Sequence, residues 1–254
     1  MNNIQNILDG WDYQPGELNV RRIESGDGQQ YIQLRLDMGL LQMAVRGRPD
    51  GQRPMGFESL LEFHQSQLVD YCHRHGTDDG FTLDEPSCQA LRSEGVMYYH
   101  RYLAAFVLND FLLVEADTQR NLAMFDFCHQ YASDETTRAY VQQYRPYVLM
   151  MNARARTRRA MVENDFAAAI QAVDDAMLDI EASSQQWGGD DALDLSPELA
   201  ILHALRHEVE SLQPIDPKDQ LQEDLRQAID DERTGPHAAC DGGERFCRGD
   251  SGRR

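Results

Sequence analysis

Chemistry needs side chains that ligate, titrate or bind charge, and three groupings in this sequence qualify. His203 and His207 lie four residues apart with Glu210 three further on, a spacing that turns all three to one side of a helix, where they can approach one metal ion. A hydrolytic zinc helix of the HExxH kind carries glutamate directly after its first histidine. Ala204 stands there instead, so the general base is missing. Ordinary solvated helix polarity accounts for the same residues. Cys72-His73-Arg74-His75, with His64 upstream, offers thiolate and imidazole, both good zinc ligands. No second ligand pair follows at a finger-like spacing, and histidine and arginine are favoured at a helix C-terminus by its dipole. No metal or cofactor is expected at either place.

The third grouping is Arg154, Arg156, Arg158 and Arg159, the densest basic cluster in the chain. On a helix Arg154 and Arg158 share a face while Arg156 and Arg159 splay away. One reading is a contact for an acidic partner; the other is pairing with acids of the same chain, Glu163 and Asp165 among them. Arg48 and Arg53, in the loop GRPDGQRP, are weaker candidates for a phosphate or carboxylate, since turn geometry alone explains the glycines. No phosphate loop, dinucleotide fingerprint or nucleophile elbow is present. Catalysis is therefore not expected, and a metal-dependent enzyme with a histidine-containing site is the alternative.

The bulk numbers narrow the partners. A chain of 254 residues can bury a substantial core. Its formal charge of −19 repels phosphate backbones and anionic membranes, so neither nucleic acid nor a bilayer is an expected direct partner. Cys72, Cys88, Cys128, Cys240 and Cys247 are scattered, with no CxxC pair, which reads as reduced thiols in the cytoplasm. The N-terminus lacks a basic, then apolar, targeting pattern. The most apolar stretch, Tyr98 to Val114, is interrupted by His100, Arg101, Asn109 and Asp110 and is too polar to span a membrane.

These residues need elements to position them. Residues 18–45 read as strands: Ile32, Leu34 and Leu36 alternate with Gln33 and Arg35, and Ser-Gly-Asp-Gly supplies a tight hairpin. From Phe57 the period becomes helical, with Gly76 as a stop. Further helices are predicted from Asp84–Pro86 towards Leu108, from Asp110 to His129, from Asp134 with an interruption at Pro146 and on to Val162, and from Asp165 to Ala182. Leu108-Asn109-Asp110-Phe111 and Glu163-Asn164-Asp165-Phe166 share Asn-Asp-Phe between helical runs, which reads as a tight turn whose Asp caps the second helix while Phe packs back on the first. Residues 183–196 read as a linker, Ser196 and Pro197 start a helix to Leu212, Asp216–Pro217 start another, and the tail 233–254 reads as disordered. The fold expected is mainly α (α+β): a β-meander over 1–56, a helical-hairpin body over 57–182, and a C-terminal helix pair over 197–232. The run Tyr98, Tyr99, Tyr102, Phe106, Met124, Phe125, Phe127, Tyr131, Tyr144, Tyr147, Met150 and Met151 is mostly core by its spacing; the other reading is a Met- and aromatic-lined groove for a partner helix.

Two patches resemble known families. RAMVENDFAAAIQAVDDAMLDIEA is similar to the second half of a tetratricopeptide-type hairpin: Phe166, Ala169, Ile170, Val173, Met177 and Ile180 make one stripe, and the small Ala169 permits close helix approach. Leu221-Gln-Glu-Asp-Leu225-Arg-Gln-Ala228-Ile229-Asp-Asp-Glu232 resembles the first half of the UVR (UvrB/UvrC motif) helical hairpin, and the sequence before it resembles UVR-containing proteins of planctomycete-like bacteria. The second half of that hairpin is missing after Glu232, and a change of reading frame near Arg233 is one origin for the departure. The resemblance implies an adaptor role in DNA repair or proteolysis control, with contacts at Leu221, Leu225, Ala228 and Ile229. A stripe of that kind must be covered by the body, by a second copy in a homodimer, or by another protein.

Overall fold

The computed structural model describes residues 4–187, 196–214 and 217–234. The tail from 235 onward, and residues 188–195 of the expected linker, lie outside the described residues. The chain divides into two compact units, the first ending at Ser211 and the second beginning at Leu212.

The first unit opens with a short helix α1 (Gln5–Leu8) and a three-stranded antiparallel meander, β1 (Asn19–Glu24), β2 (Gln30–Leu36) and β3 (Gly39–Ala44), in that spatial order. Gly28 takes φ +80° in the first hairpin turn, the left-handed conformation that the Ser-Gly-Asp-Gly tetrad makes available. The register sets Val20 against Leu34 and Ile32 against Met43. Ile32, Leu34 and Met43 enter the main core beside Tyr102 and Ala105 of the helical body. The opposite face is polar: Arg21 donates to Gln33 (2.7 Å), Gln33 donates to Gln42 (2.8 Å), and Arg21 lies over the Trp11 ring at 4.1 Å. Leu36, at the strand end, is exposed rather than part of the buried face.

The body is helical: α2 (Leu60–His75), α3 (Glu85–Val107), α4 (Phe111–Tyr131), α5 (Glu135–Gln142), α6 (Arg145–Val162), α7 (Phe166–Trp187) and α8 (Pro197–Leu212). Local chemistry fixes their ends. Ser59, Asp84, Asp110 and Asp134 each accept a hydrogen bond from a backbone N–H in the first turn of the helix they open. Gly76 closes α2 with φ +78°. Pro146 sits in the first turn of α6, where the missing N–H costs nothing, so the predicted interruption is the junction of two helices. Helix α7 continues through 183–187, part of the segment expected as linker.

The Asn-Asp-Phe turns are geometrically alike. Asn109 and Asn164 take φ +57° and +58°. The Asp110 N–H donates to Ala105 O and the Asp165 N–H to Ala160 O, both at 2.9 Å, and the Asn N–H groups reach Phe106 O and Met161 O at 3.1 Å. Phe111 stacks edge-on against Phe106, as expected of a turn that folds α4 back on α3. In the second hairpin Thr157 Oγ1 donates to Ala169 O at 3.3 Å, a close approach that alanine permits. Ala169, Val173 and Ile180 of the tetratricopeptide-like stripe are fully buried. Helix α8 buries Leu199, Leu202 and Leu205 in the main core.

The second unit contains the described helix α9 (Pro217–Thr234). Among the described residues no helix is long and apolar enough to cross a membrane.

Two outcomes follow. Replacing Asn109 or Asn164 with valine is expected to cost about 1–2 kcal/mol, because a β-branched residue is strained in the left-handed region, while glycine is tolerated; urea denaturation measures both. The hydrogen bond from Ser87 holds the Asp84 carboxyl below its ordinary value of 3.8, and that from Thr137 does the same for Asp134. A lowered folded-state pKa gives stability that is present above 3.8 and is lost as pH falls through the folded value. Asp84→Asn with Asp134→Asn keeps capping acceptors but removes the titration. Its urea midpoint should fall less than that of the natural chain between pH 6 and pH 3.

Candidate functional site

The helix α3–α4 hairpin brings charge into the interior. Arg101 meets Asp117 through two bonds, Nε to Oδ2 at 2.8 Å and Nη2 to Oδ1 at 2.7 Å. Its remaining nitrogen, Nη1, donates to Ala44 O and Gly47 O, both at 2.7 Å, tying the end of the meander to the body. Glu94, one helical stretch earlier, accepts from the Leu60 N–H at 2.8 Å and pairs with Arg120 and, at 3.4 Å, with Arg48. Arg48 also pairs with Asp50 at 2.9 Å. Three arginines and three carboxylates thus balance. Burial draws the Arg120 pKa down to about 9, still high enough for a cation at neutral pH. Burial pushes the Asp117 carboxyl up, and the Arg101 bonds oppose that push. The Tyr98 ring lies under Arg101 (5.0 Å) and Arg120 (4.2 Å), and burial raises its own pKa to about 12. The network has the chemistry of a structural clamp, since its charged groups meet each other and the backbone, with Arg48 Nε and Arg120 Nε left as buried nitrogens without a partner.

Beside it, α3 to α6 enclose an open cleft of about 750 Å³. Helix α3 contributes Arg92, Gly95, Val96, Tyr99 and Tyr102, and α4 contributes Asn121, Met124 and Phe125. Tyr140 and Val141 of α5 and Tyr147 and Val148 of α6 complete the wall, with Tyr144 at the junction of the two helices. Gly95 permits this packing: a Cβ there would stand 2.7 Å from Met124 Cε. Arg92 is committed to Glu85 (2.7 Å) and Gln89 (2.5 Å) and lies over the Tyr140 ring at 5.0 Å. The Tyr140 and Tyr144 hydroxyls bond each other at 3.1 Å. Half of the aromatic and Met run named from sequence lines this cleft: Tyr99, Tyr102, Met124, Phe125, Tyr144 and Tyr147.

The basic residues singled out from sequence have partners within the chain. Arg156 faces Asp175 (3.6 Å), Arg158 faces Glu208 (2.9 Å) and Arg159 pairs with Glu115, while Arg154 lies over the Phe106 ring at 4.5 Å. The acids that meet them lie on α4, α7 and α8; Glu163 and Asp165, next in sequence, are not those partners. Arg48 is drawn into the clamp, and Arg53 meets Glu58 at 3.5 Å on the surface. His203 and His207 are exposed on α8, and Glu210 pairs with Arg206. His64 is buried with Nδ1 2.9 Å from Gln67 Oε1, while His75 stacks on Tyr71, so the Cys72–His75 tract does not converge with it. Among the described residues no group of three or more His, Cys, Asp or Glu side chains is placed to hold a metal ion.

On α9 the stripe proposed from sequence is open to solvent: Leu221, Leu225 and Ile229 are 63%, 57% and 48% exposed, and Ala228 is exposed with them.

No family model, curated protein or solved structure matches this chain. The UVR-like and tetratricopeptide-like patches therefore stand on their own residues.

The clamp residues Glu94, Arg101, Asp117 and Arg120 were not evident in the sequence as a set. One signal was there: Arg101 and Asp117 lie equally far before and after Asn109, the turn of a helical hairpin, and residues so placed meet. Asp117→Leu should lower stability by about 3–5 kcal/mol, because Arg101 is left as an uncompensated buried charge. Adding Arg101→Met should recover part of that loss in urea denaturation.

Proposed function

We propose that this chain is an adaptor that binds a protein partner through the apolar stripe of α9 rather than a catalyst. The observation that carries the reading is the exposure of Leu221, Leu225 and Ile229 along one helical face. Helix α8, of similar length, buries its own stripe at Leu199, Leu202, Leu205 and Val209. Covering apolar surface is worth roughly 25 cal/mol per Å², and association costs consume much of it, so the stripe alone supports modest affinity.

The flanking charge selects the occupant. Between Pro217 and Thr234 there are six acidic and three basic residues. Two copies laid stripe to stripe set like charges against each other, whereas a leucine-striped helix edged with lysine or arginine meets complementary charge. The similarity of 221–232 to the first half of a UVR hairpin points the same way, since hairpins of that family join repair subunits or the regulators of proteases and kinases. DNA repair or control of proteolysis is the process this implies. Cys72, Cys88 and Cys128 are free thiols, which fits a cytoplasmic setting.

Fluorescence anisotropy with two synthetic helical peptides tests the reading, one with a leucine stripe edged by lysine and one edged by glutamate. The lysine-edged peptide should bind, weaken with salt, and lose roughly tenfold in affinity in Leu225→Asp, whose exposed position leaves the circular dichroism unchanged. Equal binding to the natural chain and Leu225→Asp, or a self-association that Leu225→Asp abolishes, would contradict it.

A further inference from the structure

We infer that the cleft between α3 and α6 is a binding site for an uncharged, flat aromatic molecule carrying a carbonyl-type hydrogen-bond acceptor. Its size is the first reason: about 750 Å³ lies within the range of small-molecule sites, roughly 300–1,000 Å³, and far exceeds a packing defect. The second reason is the state of its polar groups. Tyr102 lines the cleft with its ring buried; its hydroxyl bonds to no other described residue and is not among the buried unpaired atoms, so it is left to water or to a ligand. Tyr99 and Tyr147 stand around it, with the Tyr99 ring 5.5 Å from Tyr102 and 6.2 Å from Tyr147, and among the described residues neither hydroxyl bonds to protein.

Protonation makes these groups donors. Burial, with the neighbouring Tyr147 and Tyr99 oxygens adding to it, pushes the Tyr102 pKa far up, and burial raises that of Tyr147. Hydroxyls without protein acceptors can be met by water or by the acceptor atom of a ligand that displaces it. The rest of the wall is apolar, with Val96, Met124, Phe125, Val141 and Val148 beside the tyrosine rings. Aromatic rings favour edge-on or offset contact with another flat ring.

Charge decides against the other ligand classes. An anion would need a cation, but Arg92 is already held by Glu85 and Gln89, and the chain as a whole carries −19. A cation could use the tyrosine faces, but Arg92 stands in the wall and no carboxylate lines the cleft among the described residues.

Benzophenone and diphenylmethane form the test pair, since they share two aromatic rings and differ in the carbonyl. Equilibrium dialysis with the full chain should show saturable binding, tighter for benzophenone. Tyr102→Phe, which keeps the ring and should melt like the natural chain, should weaken benzophenone by roughly three- to tenfold and leave diphenylmethane unchanged. Irradiated benzophenone should label peptides that contain Val96, Met124 or Val148. Tyr147→Phe serves as the second variant should Tyr102→Phe fail to fold. Equal affinity for the two compounds, loss of neither in the folded variant, unsaturable labelling spread over the surface, or tighter binding of benzyltrimethylammonium would each overturn the assignment.

Discussion

A bidentate bond between Arg101 and Asp117, deep in the α3–α4 hairpin, is the constraint from which the first unit is built. Isolated buried charges are costly, and this pair is tolerated because every guanidinium nitrogen of Arg101 and both carboxylate oxygens of Asp117 are hydrogen-bonded. Arg101 spends its spare nitrogen on Ala44 O and Gly47 O, so the loop after β3 must lie where it does. Glu94 extends the same logic, binding the first backbone N–H of α2 while it pairs with Arg120 and Arg48. The meander, α2, α3 and α4 are thereby fixed to one charged centre as well as to a shared apolar core.

That arrangement has a consequence for the cleft. With α3 and α4 held together at Gly95 by the Asn121 side chain, which donates to Gly95 O at 3.0 Å, and at Arg101 by Asp117, the tyrosines of α3 face α5 and α6 from a rigid wall. The aromatic rings then leave a space that their own packing does not fill. The charged ends of the clamp meet one another and the backbone, whereas the tyrosines of α3 border open space, which separates a structural network from a receptive surface only a few residues away.

The elements were largely legible in the sequence. Period-two alternation fixed the strands, Asp84, Asp110 and Asp134 fixed three helix starts, and Gly76 fixed an end. The Asn-Asp-Phe turns were legible because so few residues accept a positive φ. The sites were less so, because they depend on which helix faces which. The Arg154–Arg159 cluster reads either as a contact for an acidic partner or as pairing with nearby acids such as Glu163 and Asp165, and only the packing of α4, α7 and α8 shows Glu115, Asp175 and Glu208 as the acids that meet it. Arg48 reads as a loop arginine until Glu94 is found behind it. The tyrosines read as core because spacing gives the buried side of a helix but not whether the facing helix fills the gap.

The α9 stripe was legible as an apolar face, but its pattern left open whether the body, a second copy or another protein covers it. The claim that it awaits a partner is tested most directly by hydrogen exchange on residues 217–234 of the full chain. The account predicts fast exchange alone, well above that of α3 and α4, and marked slowing when a lysine-edged leucine-striped helix is added. Protection in the chain alone equal to that of α3 and α4 would mean the stripe is already covered from within, and would contradict it.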